Sequence, residues 1–271
     1  MSDATVHPHA YTHGYAPAVL GGHRRRSAAN SASYLLAHLR PGQRLLDVGS
    51  GAGTITADLA RAVAPGSVTA VEVSEEAAAL TRAELERQGI AAEVIVADAH
   101  ALPFPDDAFD VVHAHQVLQH VADPVAMLVE LRRVTVPGGI VAVRDADYPG
   151  FRWYPDEPRM DRWLELYLQA AEANGGHPDA GRRLLAWALA AGLEDVEPSA
   201  STWCYATPED RAWWADSWAG RISATALAAQ LVREGRAEQA ELDAIAGAWR
   251  AWATDPDGWF LVPHGEIIAR A

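Results

Sequence analysis

The sequence predicts an α/β fold built on a mostly parallel sheet, and three observations predict it. Strand and helix signals alternate between about residues 44 and 145. A glycine-rich segment, Asp47-Val48-Gly49-Ser50-Gly51-Ala52-Gly53, falls between the first strand and the first helix of that run. Acidic residues (Asp47, Glu72 and Asp98) stand at the ends of three successive strands. Repeated β-α-β units imply a parallel sheet with right-handed crossovers.

Each element has its own signal. Residues 1–16 read as a loose polar arm. Residues 17–39 read as a helix, because Val19, Leu20, Ala28, Ala32, Leu35 and Leu39 recur at roughly helical spacing, and Pro41-Gly42 ends it. Residues 44–48 form a short apolar strand and 54–63 a helix. Residues 67–73 are a β-branched strand. Ser74 caps a helix through Gln88, with Glu75 and Glu76 in its first turn and Gly89 as its stop. Strands follow at 93–97 and 109–115, then a helix at 124–134 that ends near Pro137-Gly138-Gly139, then a strand at 140–144.

After residue 146 the pattern changes. Residues 148–158 are aromatic and proline-rich. Helices are expected over Trp163 to Ala171 and over 179–191, a strand over 193–205, mostly helix over 208–252, and a closing strand over 259–269. This gives a provisional division into a covering arm (1–40), a ligand-binding core (41–146) and the rest of the sheet with a helical cap (147–271).

Composition narrows the function. The chain of 271 residues carries 22 basic and 36 acidic residues, a net charge of -14. Nucleic-acid binders gain affinity by neutralising phosphates, so this balance argues against nucleic acid and against anionic membranes. Every basic residue is arginine. The absence of lysine excludes a pyridoxal-phosphate Schiff base and a P-loop lysine. The single cysteine, Cys204, leaves no disulfide framework and no cysteine-based zinc site, and it reads as a buried thiol. No apolar run approaches the roughly 20 residues that span a bilayer. A soluble cytoplasmic protein is expected, with a homodimer left open.

The glycine loop suits a nucleotide-like ligand held outside the carboxyl end of the sheet. Its glycines alternate as G-x-G-x-G, unlike the dinucleotide pattern G-x-G-x-x-G. Asp47 precedes them. A carboxylate there repels a pyrophosphate and suits the ammonium of S-adenosylmethionine. Glu72, nineteen residues after Gly53, can accept hydrogen bonds from both ribose hydroxyls. Asp98 can accept from an adenine amino group, with the Ala99 N–H offered to the ring.

Taken in order, these motifs resemble the class I S-adenosylmethionine-dependent methyltransferases of the ubiquinone and menaquinone biosynthesis type. The matching stretches are Asp47 to Gly53, Glu72, Asp98-Ala99 with Leu102-Pro103-Phe104, Phe109 to Val112 through Leu118-Gln119-His120-Val121, and Leu131 to Val134 through Pro137-Gly138-Gly139. The resemblance implies a Rossmann-like sheet of seven strands, five parallel and a final reversed pair at about 195–205 and 259–269. It implies S-adenosylmethionine as cofactor, held by Tyr15, Asp47, Gly49, Ser50, Gly51, Gly53, Thr54, Glu72, Val73, Asp98, Ala99, His115 and Gln116. Arg24 or Arg26 could pair with its carboxylate.

Methyl transfer needs a base only where the acceptor must lose a proton. His115, Asp145, Asp147 and Tyr148 follow strands four and five and are the catalytic candidates. A metal held by His113, His115 and His120 is not expected. The ten tryptophans crowd the cap, where they either pack helices or hold a planar small-molecule acceptor. Two other readings stand beside this one: an NAD-type oxidoreductase, and a protein of the same fold that binds the cofactor without catalysis.

Overall fold

The computed structural model describes residues 25–271, so Tyr15, Arg24 and residues 17–24 of the expected 17–39 helix lie outside the described residues. Eight strands are described: β1 (Arg44–Val48), β2 (Ser67–Glu72), β3 (Glu93–Val96), β4 (Phe109–His115), β5 (Thr135–Ala146), β6 (Arg152–Tyr154), β7 (Glu194–Tyr205) and β8 (Trp259–Arg270). They form one sheet in the order β3-β2-β1-β4-β5-β8, with β7 on the far edge of β8. The five strands from β3 to β5 are parallel, and β8 runs antiparallel to β5 and β7. The short β6, which the sequence did not signal, pairs the start of β8 beyond the end of β5.

The central strands are buried on both faces, which is why they read as apolar runs rather than as alternations. On one face Leu45, Val111, Ala142 and Ile268 pack with Leu35 and with Ile55 and Leu59 of α3 (Thr54–Val63). On the other, Leu46, Val112 and Val143 pack with Leu128 and Leu131 of α5 (Pro124–Val134) and Leu184 of α7 (Ala180–Ala190). Ser74 caps α4 (Glu75–Arg87) and Asp123 caps α5, each accepting a hydrogen bond from a first-turn N–H.

A third core lies in the cap. Helices α6 (Pro158–Ala173), α8 (Pro208–Ala224), α9 (Ala226–Arg233) and α10 (Gln239–Thr254) enclose Trp163, Trp218 and Trp249. Trp163 meets Trp218 and Trp249 edge-on, with ring centroids 4.5 and 4.8 Å apart. Most of the cap tryptophans therefore serve packing.

Three expectations need correction here. Within the described residues, the first helix is two short turns, α1 (Ala28–Ser31) and α2 (Ser33–Leu36), which break at Ala32. Ser27 is extended and forms a reciprocal capping box with Asn30, so a helix begins at Ala28 and none runs through this point. Strand β5 starts at Thr135, so Pro137-Gly138-Gly139 forms an irregularity inside the strand. Cys204 is exposed, because β7 is an edge strand.

Candidate active site

The glycine loop is shaped by close contacts. Gly49, Gly51 and Gly53 all have positive φ, which a side chain would strain. A Cβ at Gly49 would lie 2.3 Å from Val117 Cγ2, so the loop seats directly against the β4 exit. A Cβ at Gly53 would lie 3.0 Å from the Thr81 carbonyl oxygen. Gly53 thus lets α3 approach α4 and, unlike Gly49, Ser50, Gly51 and Thr54, does not line the cavity in front of the loop. Ser50 Oγ and the Gly51 carbonyl both bond Thr81 Oγ1, at 2.9 Å each.

Two acids brace the loop. Asp47 is buried, with Oδ2 accepting from Thr56 Oγ1 at 2.5 Å and Oδ1 lying 2.8 Å from His113 Nδ1. Its carboxylate is thus engaged by the protein rather than left open for an ammonium group. Glu72 Oε1 accepts the Gly51 N–H at 2.5 Å, and Oε2 accepts the Val73 N–H at 3.2 Å. Burial, the largest influence, raises the Glu72 pKa against the pull of those two bonds, and the nearby Asp47 raises it further. Asp98 is more open. It accepts from the His100 backbone and ring, which hold its pKa below the usual carboxylate range.

One cavity of about 960 Å³ joins this rim to the cap. Asp47, Glu72, Val73, Asp98 and Ala99 line one end, and Tyr148, Phe151, Trp203, Tyr205, Trp213 and Trp214 line the other. His115 and Gln116 lie in the wall as well.

Sheet parity decides which strand-end residues reach it. His113 and His115 share the face that carries Asp47 and Arg144. His113 is spent on Asp47. His115 is buried, and neither ring nitrogen has a hydrogen-bond partner. Burial, and then Arg144, Arg26, His264 and His113, lower its pKa well below the ordinary value, so its ring is neutral. Gln116 adopts a left-handed conformation, with φ 55°. Its Oε1 accepts from Arg26 at 2.8 Å, which turns its Nε2 to donate to His264 Nε2 at 2.9 Å.

Asp145 and Asp147 do not face the cavity, contrary to expectation. Asp145 points to the opposite face from Arg144 and accepts the backbone N–H groups of Leu118 and Gln119, so it anchors the 3-10 turn after β4. Asp147 forms a two-pronged ion pair with Arg182 at 2.9 and 2.8 Å. Tyr148 does line the cavity and stacks between Phe151 and Tyr167.

Sequence reasoning missed Arg144, Glu266 and His264. Arg144 Nε donates to Glu266 Oε1 at 3.0 Å and to Ser201 Oγ at 3.1 Å, and its guanidinium lies 4.9 Å from the Trp203 ring centroid. Burial lowers its pKa to about 10. The signal was present: a charge within an apolar strand must find a partner, and Arg144 and Glu266 are paired in register across β5 and β8.

The residues present fit an adenosyl cofactor with a cationic centre. Loop backbone and two strand-end carboxylates face one end of the cavity. Among the described residues Arg25 is paired with Asp210 and Arg26 is bonded to Gln116, and the acids Glu72 and Asp98 at the loop end disfavour a diphosphate.

The comparisons agree. A family model described as a methyltransferase domain matches residues 46–143. An uncharacterized methyltransferase of Schizosaccharomyces pombe is 35% identical over 269 residues, covering 95% of each chain. The chain belongs to the S-adenosylmethionine-dependent methyltransferases.

This methyltransferase is also 34% identical over 158 residues to the ubiquinone/menaquinone biosynthesis C-methyltransferase of Burkholderia cenocepacia, matching 53% of this chain and 64% of that protein. A phosphoethanolamine N-methyltransferase of Haemonchus contortus, solved with phosphomonomethylethanolamine and S-adenosylhomocysteine, shares its fold. That match has a TM-score of 0.52 at 19% identity and covers 85% of this chain and 49% of the other. The fold is the Rossmann-like class I methyltransferase fold, and the cofactor is S-adenosylmethionine. Among the described residues no helix is long and apolar enough to cross a membrane.

Proposed function

We propose that this methyltransferase methylates a planar small molecule held against the aromatic wall of the cavity. The carrying observation is the single continuous cavity, with strand-end acids at one end and a row of aromatic rings at the other. A volume near 960 Å³ is at the upper end of small-molecule sites, room for a cofactor and an acceptor together. The similarity to a C-methyltransferase of quinone biosynthesis supports a ring-bearing acceptor. A net charge of -14 offers no footing for a nucleic acid.

In this reading Glu72 accepts from the ribose hydroxyls and Asp98 from the adenine amine, with Gly49 to Gly51 as the backbone wall. When bound, S-adenosylmethionine would supply an activated methyl on a sulfonium, which the acceptor's lone pair would take. His115 accepts the proton that the acceptor sheds. Its ring is neutral and both nitrogens are unpartnered, so one is free to take a hydrogen bond. Trp203, Trp213 and Trp214 hold the acceptor's ring and exclude water.

The test is incubation with methyl-labelled S-adenosylmethionine and a metabolite extract. Label in a small molecule is the expected result, and His115→Ala should cut the rate roughly 100-fold while S-adenosylhomocysteine affinity is kept. Label confined to protein or nucleic acid, or a His115→Ala rate equal to wild type, overturns this reading.

A further inference from the structure

Among the described residues, three arginines are buried below a tenth of their surface: Arg144, Arg211 and Arg221. Two have oxygen partners. Arg144 is held by Glu266 and Ser201, and Arg211 donates to the carbonyls of Ala206, Ala253 and Gly258. Arg221 is different. It lies on α8, is 8% exposed, and lines the aromatic end of the cavity. Among the described residues no carboxylate pairs with it, and its Nε has no hydrogen-bond partner. Its guanidinium carbon lies 4.9 Å from the centroid of the Trp218 ring.

A guanidinium does not lose its proton in a protein, so this position holds a permanent charge with no counter-ion among the described residues. The surroundings add to it. Arg26 and Arg221 both act electrostatically on Tyr148 and Tyr205, the tyrosines of the cavity wall. The acid on this side, Asp210, is bound by Arg25 and Thr207. The other wall acids, Asp47, Glu72 and Asp98, stand at the glycine-loop end. A protein of charge -14 thus keeps a positive, aromatic-walled interior where its acceptor would sit.

We infer that the acceptor is an anion, and that Arg221 recognises its carboxylate. This rests on the reading of the aromatic end as the acceptor site. A planar guanidinium matches a carboxylate through two parallel N–H···O bonds. A guanidinium fork also pairs a phosphate, but the second charge of a phosphate calls for a further cation, and Arg25 and Arg26 are already bonded to Asp210 and Gln116. The aromatic lining, Trp213 and Trp214 among it, suits an aromatic or conjugated acid.

The test uses the full chain saturated with S-adenosylhomocysteine and titrated calorimetrically with benzoate, 2-naphthoate, their amides and phenyl phosphate. At least one acid should bind at least tenfold tighter than its amide, about 1.4 kcal/mol. Arg221→Gln should erase that preference and leave S-adenosylhomocysteine affinity within about twofold of wild type. Arg221→Lys keeps the charge without the fork and should retain part of the preference, and the wild-type acid-to-amide comparison needs no variant. Equal affinity of acid and amide, failure of every acid to bind, tighter binding of phenyl phosphate, or a preference that survives Arg221→Gln each overturns the inference. Methyl transfer to a neutral molecule without acid preference sinks this inference alone. An acid preference without any labelled small-molecule product sinks the methylation reading alone.

Discussion

Asp47 Oδ1 lies 2.8 Å from His113 Nδ1, and both side chains are buried. The contact ties β1 to β4 directly beneath the glycine loop, because the two residues are register partners across those strands. The acid that heads the loop is therefore part of its foundation. Replacing His113 by Leu leaves a buried carboxylate with Thr56 as its one side-chain partner among the described residues. We expect a loss of about 2–4 kcal/mol, read by urea denaturation. In a cycle with Asp47→Asn, the two changes should couple by about 1 kcal/mol or more. Additive effects would show that the pair does not act as a unit.

Glu72 makes a pH-dependent prediction. Burial raises its pKa, so its carboxylate takes up a proton at a higher pH than an exposed glutamate does. A protonated Glu72 loses acceptor capacity toward a ribose. Affinity for S-adenosylhomocysteine should fall as pH drops into the upper carboxylate range. Glu72→Gln should weaken binding at neutral pH by about tenfold or more and flatten that dependence. A variant with wild-type affinity and an unchanged pH profile would remove Glu72 from the cofactor site.

The sequence made the loop legible because strand, glycines and helix follow one another within Leu46 to Thr54, and local geometry forces that order. Glu72 and Asp98 were legible for the same reason: Glu72 ends β2 and Asp98 lies two residues beyond β3, and strand ends on one edge of a parallel sheet converge. The facing of β5 was not legible. Ile140 to Ala146 is buried on both faces, so no polar alternation marks which residues point where. Asp145 and Asp147 were assigned to the cavity on proximity alone, and parity sends Asp145 to the opposite face. Arg221 carries no local signal, since one arginine in a helix reads as solvated until the packing of the cap encloses it.

Asp145 should leave its mark on stability. Burial pushes its pKa up to about 7 from an ordinary 3.8. A folded pKa above the unfolded one means a contribution that is full below the unfolded value and is lost as pH rises through about 7. The amide in Asp145→Asn does not titrate. The stability of wild type relative to this variant should therefore fall by about 1–3 kcal/mol between pH 5 and pH 8. A difference that is constant, or grows toward alkaline pH, would mean that the carboxylate is charged throughout and that its backbone N–H bonds outweigh its burial.

The tryptophans divide into two functional groups, and one pair of substitutions separates them. Trp163 is fully buried among Trp218, Trp249 and Phe151. Trp163→Ala should cost about 3–5 kcal/mol, because the cap cannot collapse around so large a void. Trp203 is half-buried in the cavity wall, where it donates to the Asn30 carbonyl at 2.7 Å and faces His264. Trp203→Ala removes one hydrogen bond and a ring that contacts Arg26 and Arg144, so its stability loss should stay near 1–2 kcal/mol. Its effect on label transfer to a small molecule should be larger, about tenfold or more, with S-adenosylhomocysteine still bound. Thermal denaturation and transfer assays on both variants check the division. If Trp163→Ala is the milder of the two in stability, or Trp203→Ala transfers label at the wild-type rate, then the cavity wall and the cap core have been assigned the wrong way round.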